Sequence, residues 1–494
     1  MKINLTQKII ATLSVLLVSS TGFAATNYST PVFTYGGNIT LQNGDTVIIN
    51  EASYLGYVVN AREGTITVKN PATDGIYVSV GTSKNPILNT GGDFYSGGMR
   101  PVISQINSYV NLGTNTTIET FSDSANVTAT GILATTNSSV IAGDNLTIRF
   151  NGTYGTGSYG ISAINDSSIT IGDNLKVYAA GGGNIAIMVS GGGNITVGDN
   201  AYIEAGLGLN ARINSSITMQ NSTIRGVGSN GVGINTAPGG IIDITNSDIY
   251  GERNAITVPG VGGPTGIVTV SGGTLTSDAG AVIGSGETSE TSNASSSTVI
   301  IKDGAKASSL TGVFFEGELT PSVGSELEIK VMGSDTIVEG RFLDGTNLDT
   351  TFSISDGATW NSVGASNMDS LSLEDANINI VLTSASDRIV TDNLTLDGTT
   401  VMNVGLTNEF LEEVIAMGLP QDFDVSIVAS FTDGTGTIAY DIATSNDEGS
   451  TWSIDDLGNG IYRIYDITLV PEPSTYAMIF GALALALAIY RRRK

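Results

Sequence analysis

A short apolar stretch followed by a turn rich in Gly, Asn and Asp recurs along the chain, and this repeat constrains the fold more than any other feature. The clearest copies are Val140–Asn145, Ile169–Asn174 and Ile195–Asn200. Seven successive copies start at residues 140, 169, 195, 217, 242, 268 and 299, so neighbouring starts are 22 to 31 residues apart. Similar starts occur at Ile39, Ile66, Val110, Ile329, Phe352, Leu371 and Leu394.

This period is too short for a propeller blade, and the repeats are too rich in strand-forming residues for helical solenoids. Within each copy apolar residues alternate with polar ones, as in a strand with one buried face. The repeat therefore predicts an all-β fold, a right-handed single-stranded parallel β-helix of about thirteen turns. Turns stacked about 4.8 Å apart would make a rod on the order of 60 Å long.

Composition agrees with a repeat array and excludes several kinds of chemistry. The 494 residues include 63 glycines, and 40% of the chain is hydrophobic, which is enough to form a core. Cysteine and histidine are both absent. Disulfides, Ser-His-Asp catalysis and Cys-His catalysis are therefore excluded, and no cofactor is expected.

The N-terminus has the features of a secretory signal peptide. Lys2 and Lys8 precede an apolar stretch, Ile9–Val18. The two positions that a signal peptidase reads are occupied by small residues, Gly22 and Ala24. We predict a signal peptide over residues 1–24 that is cleaved after Ala24. The alternative is a buried first helix.

The C-terminus combines an apolar run with a basic end. Tyr476–Tyr490 contains no charge, and Arg491, Arg492, Arg493 and Lys494 follow it directly. A helix of this length spans about 22 Å, short of a ~30 Å hydrocarbon core, and tyrosines and arginines at its ends make up part of the difference. Because basic residues stay cytoplasmic, the run predicts a membrane helix with the rest of the chain facing outward.

The motif before this run carries a resemblance to a known family. Pro471, Glu472 and Pro473, then the apolar run and the terminal arginines, resemble the PEP-CTERM sorting signal of Gram-negative bacteria over the last 25 or so residues. The resemblance implies recognition by exosortase, a membrane enzyme, and delivery to the cell surface or the exopolysaccharide. The family often has Trp after the motif, whereas this chain has Tyr476. A plain tail anchor is the alternative.

The remaining chain is strongly acidic. The net charge is −26, and without the +2 of residues 1–24 and the +3 of residues 471–494, residues 25–470 carry −31. A body of this charge is not expected to bind nucleic acid through phosphates, whereas it attracts cations and basic partners.

The pattern divides the body into two parts. Residues 25–400 are predicted to form the β-helix, and residues 401–470 a small β-rich cap, with a helix at Glu409–Gly418 capped by Asn408. Residues 340–405, which include Trp360, look like the end of an autotransporter passenger, within a pectin-lyase-like β-helix. No outer-membrane barrel follows, because residues 401–470 are too few to supply one.

Three features could carry chemistry. Asp144, Asp173 and Asp199 in the Gly-Asp-Asn turns would stack about 4.8 Å apart and offer oxygen ligands to calcium, although Asp and Asn also simply suit tight turns. Tyr178, Tyr202 and Tyr250 follow their starts at similar distances and would form an aromatic strip or pack laterally. Arg212, Arg225 and Arg253 do not share one offset, so no arginine row of a pectate-type lyase is expected.

These observations favour a non-enzymatic surface or extracellular-matrix protein, adhesin-like or a scaffold, that passes through the inner membrane to the exopolysaccharide layer. Its expected partners are an exosortase-type enzyme, the inner membrane and exopolysaccharide. Two alternatives stay open, a polysaccharide-degrading β-helix enzyme and a self-assembling coat protein.

Overall fold

The computed structural model describes residues 107–470 with short gaps at 124–127, 154–156, 180, 182, 259–262, 286–294, 318–324 and 345–347, and it also gives the backbone of the strands between residues 27 and 105. The predicted signal peptide, with Ala24, and the predicted sorting tail, residues 471–494, lie outside the described residues.

The described chain is an all-β parallel solenoid, as the repeat predicts. Its strands follow one another in groups of three, and each pairs in parallel with the third strand before and after it, so that the molecule has three faces. Between Ser168 and Leu406 the chain makes about ten successive turns.

The first face carries the predicted repeat starts. Its strands are Asn38–Gln42, Thr65–Lys69, Tyr109–Asn111, Ser139–Ala142, Ser168–Ile171, Asn194–Val197, Ser215–Gln220, Ser295–Lys302, Ser325–Met332 and Leu348–Ser355, with parts of Gly240–Gly251, Gly263–Ser277, Ser366–Glu374, Ile389–Asp397 and Val428–Gly434.

The second face follows the Gly/Asn/Asp turns. Its strands are Asn27–Tyr28, Thr46–Ile49, Tyr77–Thr82, Thr117–Asp123, Thr147–Thr153, Lys176–Ala179, Tyr202–Ala205, Thr223–Gly226, Lys306–Ser309, Ile337–Glu339, Thr359–Val363, Asn377–Leu382, Thr399–Leu406 and Thr437–Ile442, with the remainder of Gly240–Gly251 and Gly263–Ser277.

The third face closes each turn. Its strands are Val32–Tyr35, Tyr57–Arg62, Gly98–Gln105, Thr128–Thr135, Tyr159–Ile164, Ile185–Ser190, Leu207–Ala211, Val232–Thr236, Asn254–Val258, Ile283–Ser285, Val313–Glu316 and Arg341–Leu343, with the first residues of Ser366–Glu374, Ile389–Asp397 and Val428–Gly434.

The predicted starts stack on one another in register along the first face. Val140 pairs with Ile169, which pairs with Ile195, and the series continues without a break. It runs through Ile39, Ile66, Val110, Val140, Ile169, Ile195, Ile217, Ile242, Val268, Val299, Ile329, Phe352, Leu371 and Leu394. From Val110 on, these side chains are buried, and they form one apolar column through the core.

Larger side chains fill the core towards its C-terminal half. The Phe352 ring packs against Phe342, with centroids 5.0 Å apart, and edge-on against Trp360 at 5.2 Å. Trp360 is fully buried and satisfies its indole N–H by donating to the carbonyl of Gly340 at 2.8 Å. Residues 340–405 are therefore ordinary turns of the same solenoid.

The C-terminal part contains one helix among the described residues, α1, at Asn408–Met417. Its N-cap is Thr407, whose hydroxyl accepts the backbone N–H of Phe410, so the predicted N-cap at Asn408 is wrong by one residue. Asn408 is buried and accepts from Ser450 instead. An antiparallel sheet accompanies α1, with the strand order Gln421–Asp424, Ile461–Thr468, Thr451–Gly458.

The parallel ladder extends beyond residue 400. Val428–Gly434 and Thr437–Ile442, which lie within the region 401–470 predicted as the cap, pair in parallel with Ile389–Asp397 and Thr399–Leu406 and form the last turn. Their side chains are mostly exposed or half-buried, which explains why the apolar alternation fades there. We refer to residues 407–427 and 443–470 as the cap. In the part of the chain that is described, no helix is long and apolar enough to cross a membrane.

Candidate functional site

The Gly-Asp-Asn turns form one regular edge between the first and second faces. Asn145, Asn174 and Asn200, together with Asn115 of the preceding Gly-Thr-Asn turn, all have φ between 54° and 63°, a left-handed conformation that Asn tolerates. The side chain of Asn145 donates to Asn115 at 2.8 Å, and that of Asn174 donates to Asn145 at 3.2 Å. The turns are thus linked by side-chain amides as well as by strands.

The three aspartates proposed as calcium ligands lie on this edge, and each accepts a hydrogen bond from the next turn. A carboxylate oxygen of Asp144 accepts the N–H of Asp173 at 2.9 Å, and one of Asp173 accepts the N–H of Asp199 at 2.8 Å. Asp199 in turn accepts from the side chain of Asn221 at 3.1 Å. Each carboxylate therefore links its turn to the next one, and among the described residues no group of three or more acidic side chains is arranged to hold a metal ion.

The second face gathers the predicted tyrosines on its outer surface. Its outward side chains form two columns that run along the solenoid. The first column contains Thr147, Lys176, Tyr202, Thr223, Asp248 and Thr274. The second contains Glu119, Arg149, Tyr178, Glu204, Arg225 and Tyr250. We call these two columns the tyrosine strip.

One end of the strip is a continuous series of contacts. Glu119 and Arg149 form an ion pair at 3.4 Å, and the Arg149 guanidinium lies 5.7 Å from the centre of the Tyr178 ring. The Tyr178 and Tyr202 rings are tilted against each other with centroids 5.7 Å apart. Tyr202 donates its hydroxyl to Glu204 at 2.7 Å, and both this hydrogen bond and burial raise the pKa of Tyr202.

The other end repeats the same chemistry. The Arg225 guanidinium lies 4.8 Å from the centre of the Tyr250 ring, at cation–π distance. Tyr250 donates its hydroxyl to Asp278 at 2.7 Å. This hydrogen bond, together with burial and the carboxylate charge, raises the pKa of Tyr250 to about 12. The strip thus offers half-exposed aromatic rings, each in contact with a guanidinium, a carboxylate or both.

The three arginines considered from the sequence lie at different places on the solenoid. Arg225 shares a column with Arg149, which lies three turns earlier and was not considered from the sequence. Arg212 follows a third-face strand and donates to Asn210 at 3.2 Å, and Arg253 lies at the turn before another third-face strand. Arg212, Arg225 and Arg253 are therefore not brought together. Arg149 and Arg225 lie in the same column, with Tyr178 and Glu204 between them.

The second column continues beyond the strip as an amide ladder that the sequence analysis missed. Asn379 donates to Asn361 at 2.7 Å, Asn403 donates to Asn379 at 2.7 Å, and Asn361 reaches Glu339 at 3.4 Å. These residues lie 8 to 10 positions after their repeat starts, so aligning the chain on those starts would have found them.

The chain matches no protein-family model, and no curated protein is significantly similar to it.

Proposed function

We propose that this protein is an exported, non-enzymatic surface or matrix rod that holds a hydroxyl-rich polysaccharide along its second face. The observation that carries the proposal is the tyrosine strip, in which Tyr178, Tyr202 and Tyr250 lie half-exposed on one lateral surface among cations and carboxylates. The adhesin-like role follows from a binding surface that is extended rather than concave.

The chemistry of the strip suits a sugar chain. Aromatic rings offer flat apolar faces, and carboxylate and guanidinium groups exchange hydrogen bonds with hydroxyls. Tyr178 and Tyr250 are three turns apart, or roughly 14 Å along the axis, so a ligand that touches both must be extended.

The charge of the strip favours a ligand without a high charge density. Its cations Arg149, Lys176 and Arg225 alternate with the acids Glu119, Glu204 and Asp248, and Asp278 lies beside Tyr250. A polyanion would gain little here, because the body as a whole carries −31. Neutral or weakly acidic exopolysaccharide is the ligand class that fits.

We also propose that the two ends of the sequence direct the export and sorting of the protein. The signal peptide would be removed after Ala24, and the tail with Pro471–Pro473, Tyr476–Tyr490 and the basic end would be recognised by an exosortase-type enzyme at the inner membrane. The mature body would then be a right-handed rod of about thirteen turns, which agrees with a ladder that continues down to Asn38.

The first experiment measures binding of the full-length chain to purified exopolysaccharide and to a glycan panel. Replacing Tyr178 and Tyr202 together by Ala should weaken binding at least about tenfold, equivalent to ~1.4 kcal/mol. The matched control is Tyr465→Ala, because Tyr465 also donates to a carboxylate, Asp455, but lies in the cap. Equal binding by all three chains would refute the role of the strip.

The second experiment tests delivery alone. Mass spectrometry of the native protein from medium and envelope should find a C-terminus near Pro471–Thr475. An intact Lys494 confined to the inner membrane would indicate a plain tail anchor instead.

A further inference from the structure

The cap has an unusual concentration of exposed apolar side chains. Among the described residues, eight of the thirteen large apolar side chains that are exposed lie between residues 390 and 461. Those around the cap are Ile415, Met417, Leu419, Leu457 and Ile461. The lateral faces of the solenoid carry only scattered examples, so this surface differs from the rest of the rod.

A cavity of about 300 Å³ lies within this apolar surface. Met417 and Ile461 line it and are 51% and 39% exposed, whereas Val414 and Phe423 line it and are buried. The rest of the lining is mostly polar and consists of Ala385, Arg388, Gln421, Asp422 and Asp424. We call the cavity, with Met417, Leu419 and Ile461, the apolar rim.

The chain leaves the cap close to this surface. The N–H of Val470 donates to Ser450 at 2.9 Å, and its carbonyl accepts from Asn408 at 3.4 Å, so Val470 is fixed at the first residue of α1. Met417 is the last residue of α1, about 14 Å from that point along the helix axis. Pro471–Thr475 can span about 17 Å when extended, which is enough to cover this distance.

The net charge of the region around the cap is opposite to that of the C-terminal segment. Residues 401–470 contain twelve acidic residues and one basic residue, Arg463, for a net charge of −11. The segment after Thr475 contains no acid and ends in four consecutive basic residues, Arg491–Lys494. An apolar run followed by cations would therefore be attracted to an apolar surface that lies in a strongly acidic part of the chain.

We infer that the apolar segment Tyr476–Tyr490 docks on the apolar rim of its own cap whenever no membrane holds it, with Arg491–Lys494 against the acidic surface of the cap. Docking removes from water both the apolar run and the exposed side chains of the rim. The cap thereby shields its own C-terminal segment and releases it to a lipid bilayer. This inference is independent of glycan binding.

The test uses the absence of cysteine from the sequence. Full-length chain is synthesised without membranes and carries Met417→Cys together with Leu485→Cys, and a short bismaleimide is added. The matched control pairs Leu485→Cys with Leu310→Cys, because Leu310 is 81% exposed on the solenoid. We expect an intramolecular cross-link for Met417 alone, and its loss when phosphatidylcholine vesicles are added. No cross-link, or equal cross-linking to Leu310, overturns the inference.

A second measurement does not depend on cross-linking geometry. Met417→Asp with Ile461→Asp should increase partition of the full-length chain into phosphatidylcholine vesicles several-fold, because the docked state then competes less well with the membrane. Leu310→Asp is the control and should leave partition unchanged. If both variants partition into the vesicles to the same extent as the unaltered chain, the result contradicts the docking of the segment on the cap.

Discussion

The guanidinium of Arg225 lies 4.8 Å from the centre of the Tyr250 ring, one turn away along the second column of the strip. The same ring is fixed at its other end by the hydrogen bond to Asp278. A tyrosine held at both ends presents its remaining surface with little freedom, which lowers the entropic cost of binding a ligand there.

The stabilisation that the Tyr250–Asp278 hydrogen bond contributes depends on pH. The pKa of Tyr250 rises from 10.0 to about 12, chiefly because the hydroxyl donates to Asp278. Since the folded pKa lies above the unfolded one, this stabilisation is present below pH 10 and is lost as the pH rises from 10 to 12. Asp278→Asn should move the pKa of Tyr250 towards 10, measured by NMR of ¹³C-labelled tyrosine.

The control for this titration is Asp303→Asn, which removes an exposed carboxylate elsewhere on the solenoid. It should leave Tyr250 unchanged. A Tyr250 that titrates near 10 in the unaltered chain would show that the hydrogen bond to Asp278 does not persist in solution.

The amide ladder should stabilise the turns around it. Asn379 takes part in two side-chain hydrogen bonds of 2.7 Å, to Asn361 and from Asn403. Asn379→Ala should cost about 1–2 kcal/mol in the free energy of unfolding of these turns, because both partners lose a bond. A repeat protein need not unfold in one step, so the loss has to be measured locally. Hydrogen exchange of the backbone amides in Thr359–Val363 and Thr399–Leu406 gives this local free energy of unfolding.

Asn393→Ala is the matched control, since the side chain of Asn393 is exposed and reaches Ser370 only at 3.5 Å. It should change the same free energy by less than about 0.5 kcal/mol. Equal effects of the two substitutions would mean that the ladder contributes no more than any surface amide.

The turn aspartates should act as hydrogen-bond acceptors rather than as calcium ligands. Asp173→Asn keeps an oxygen for the N–H of Asp199 and removes a like charge, so stability should be unchanged or slightly higher. Asp173→Ala removes the acceptor and should cost about 1 kcal/mol. Thermal unfolding of the unaltered chain and both variants, with millimolar calcium or with a chelator, measures these effects. If calcium raises the Tm of the unaltered chain and Asp173→Asn abolishes the rise, the aspartates bind calcium.

The register of the first face could be predicted from the sequence because inward apolar residues and turn residues recur together. Ile169 and Ile195 had to share a column once the turns at Asn174 and Asn200 were aligned. The last turn could not be predicted in the same way, because Val428–Gly434 is exposed and its side chains are no longer selected for a core.

The candidate site could be predicted only in part. Tyr178 and Tyr250 share a column and Tyr202 lies in the neighbouring one, so their offsets of 9, 8 and 7 residues were informative. The ring contacts with Arg149 and Arg225 were not evident, because outward positions carry no periodic apolar signal and depend on cross-strand geometry. The cavity beneath Met417 arises from the packing of α1 on the cap sheet, which no local pattern indicates.

The most direct measurement is hydroxyl-radical footprinting of the full-length chain with and without exopolysaccharide, read by mass spectrometry. We predict that the polysaccharide protects Tyr178, Tyr202 and Tyr250 together and leaves Tyr465 in the cap unprotected. Binding that protects residues of the first or third face, or none of the three tyrosines, would contradict it.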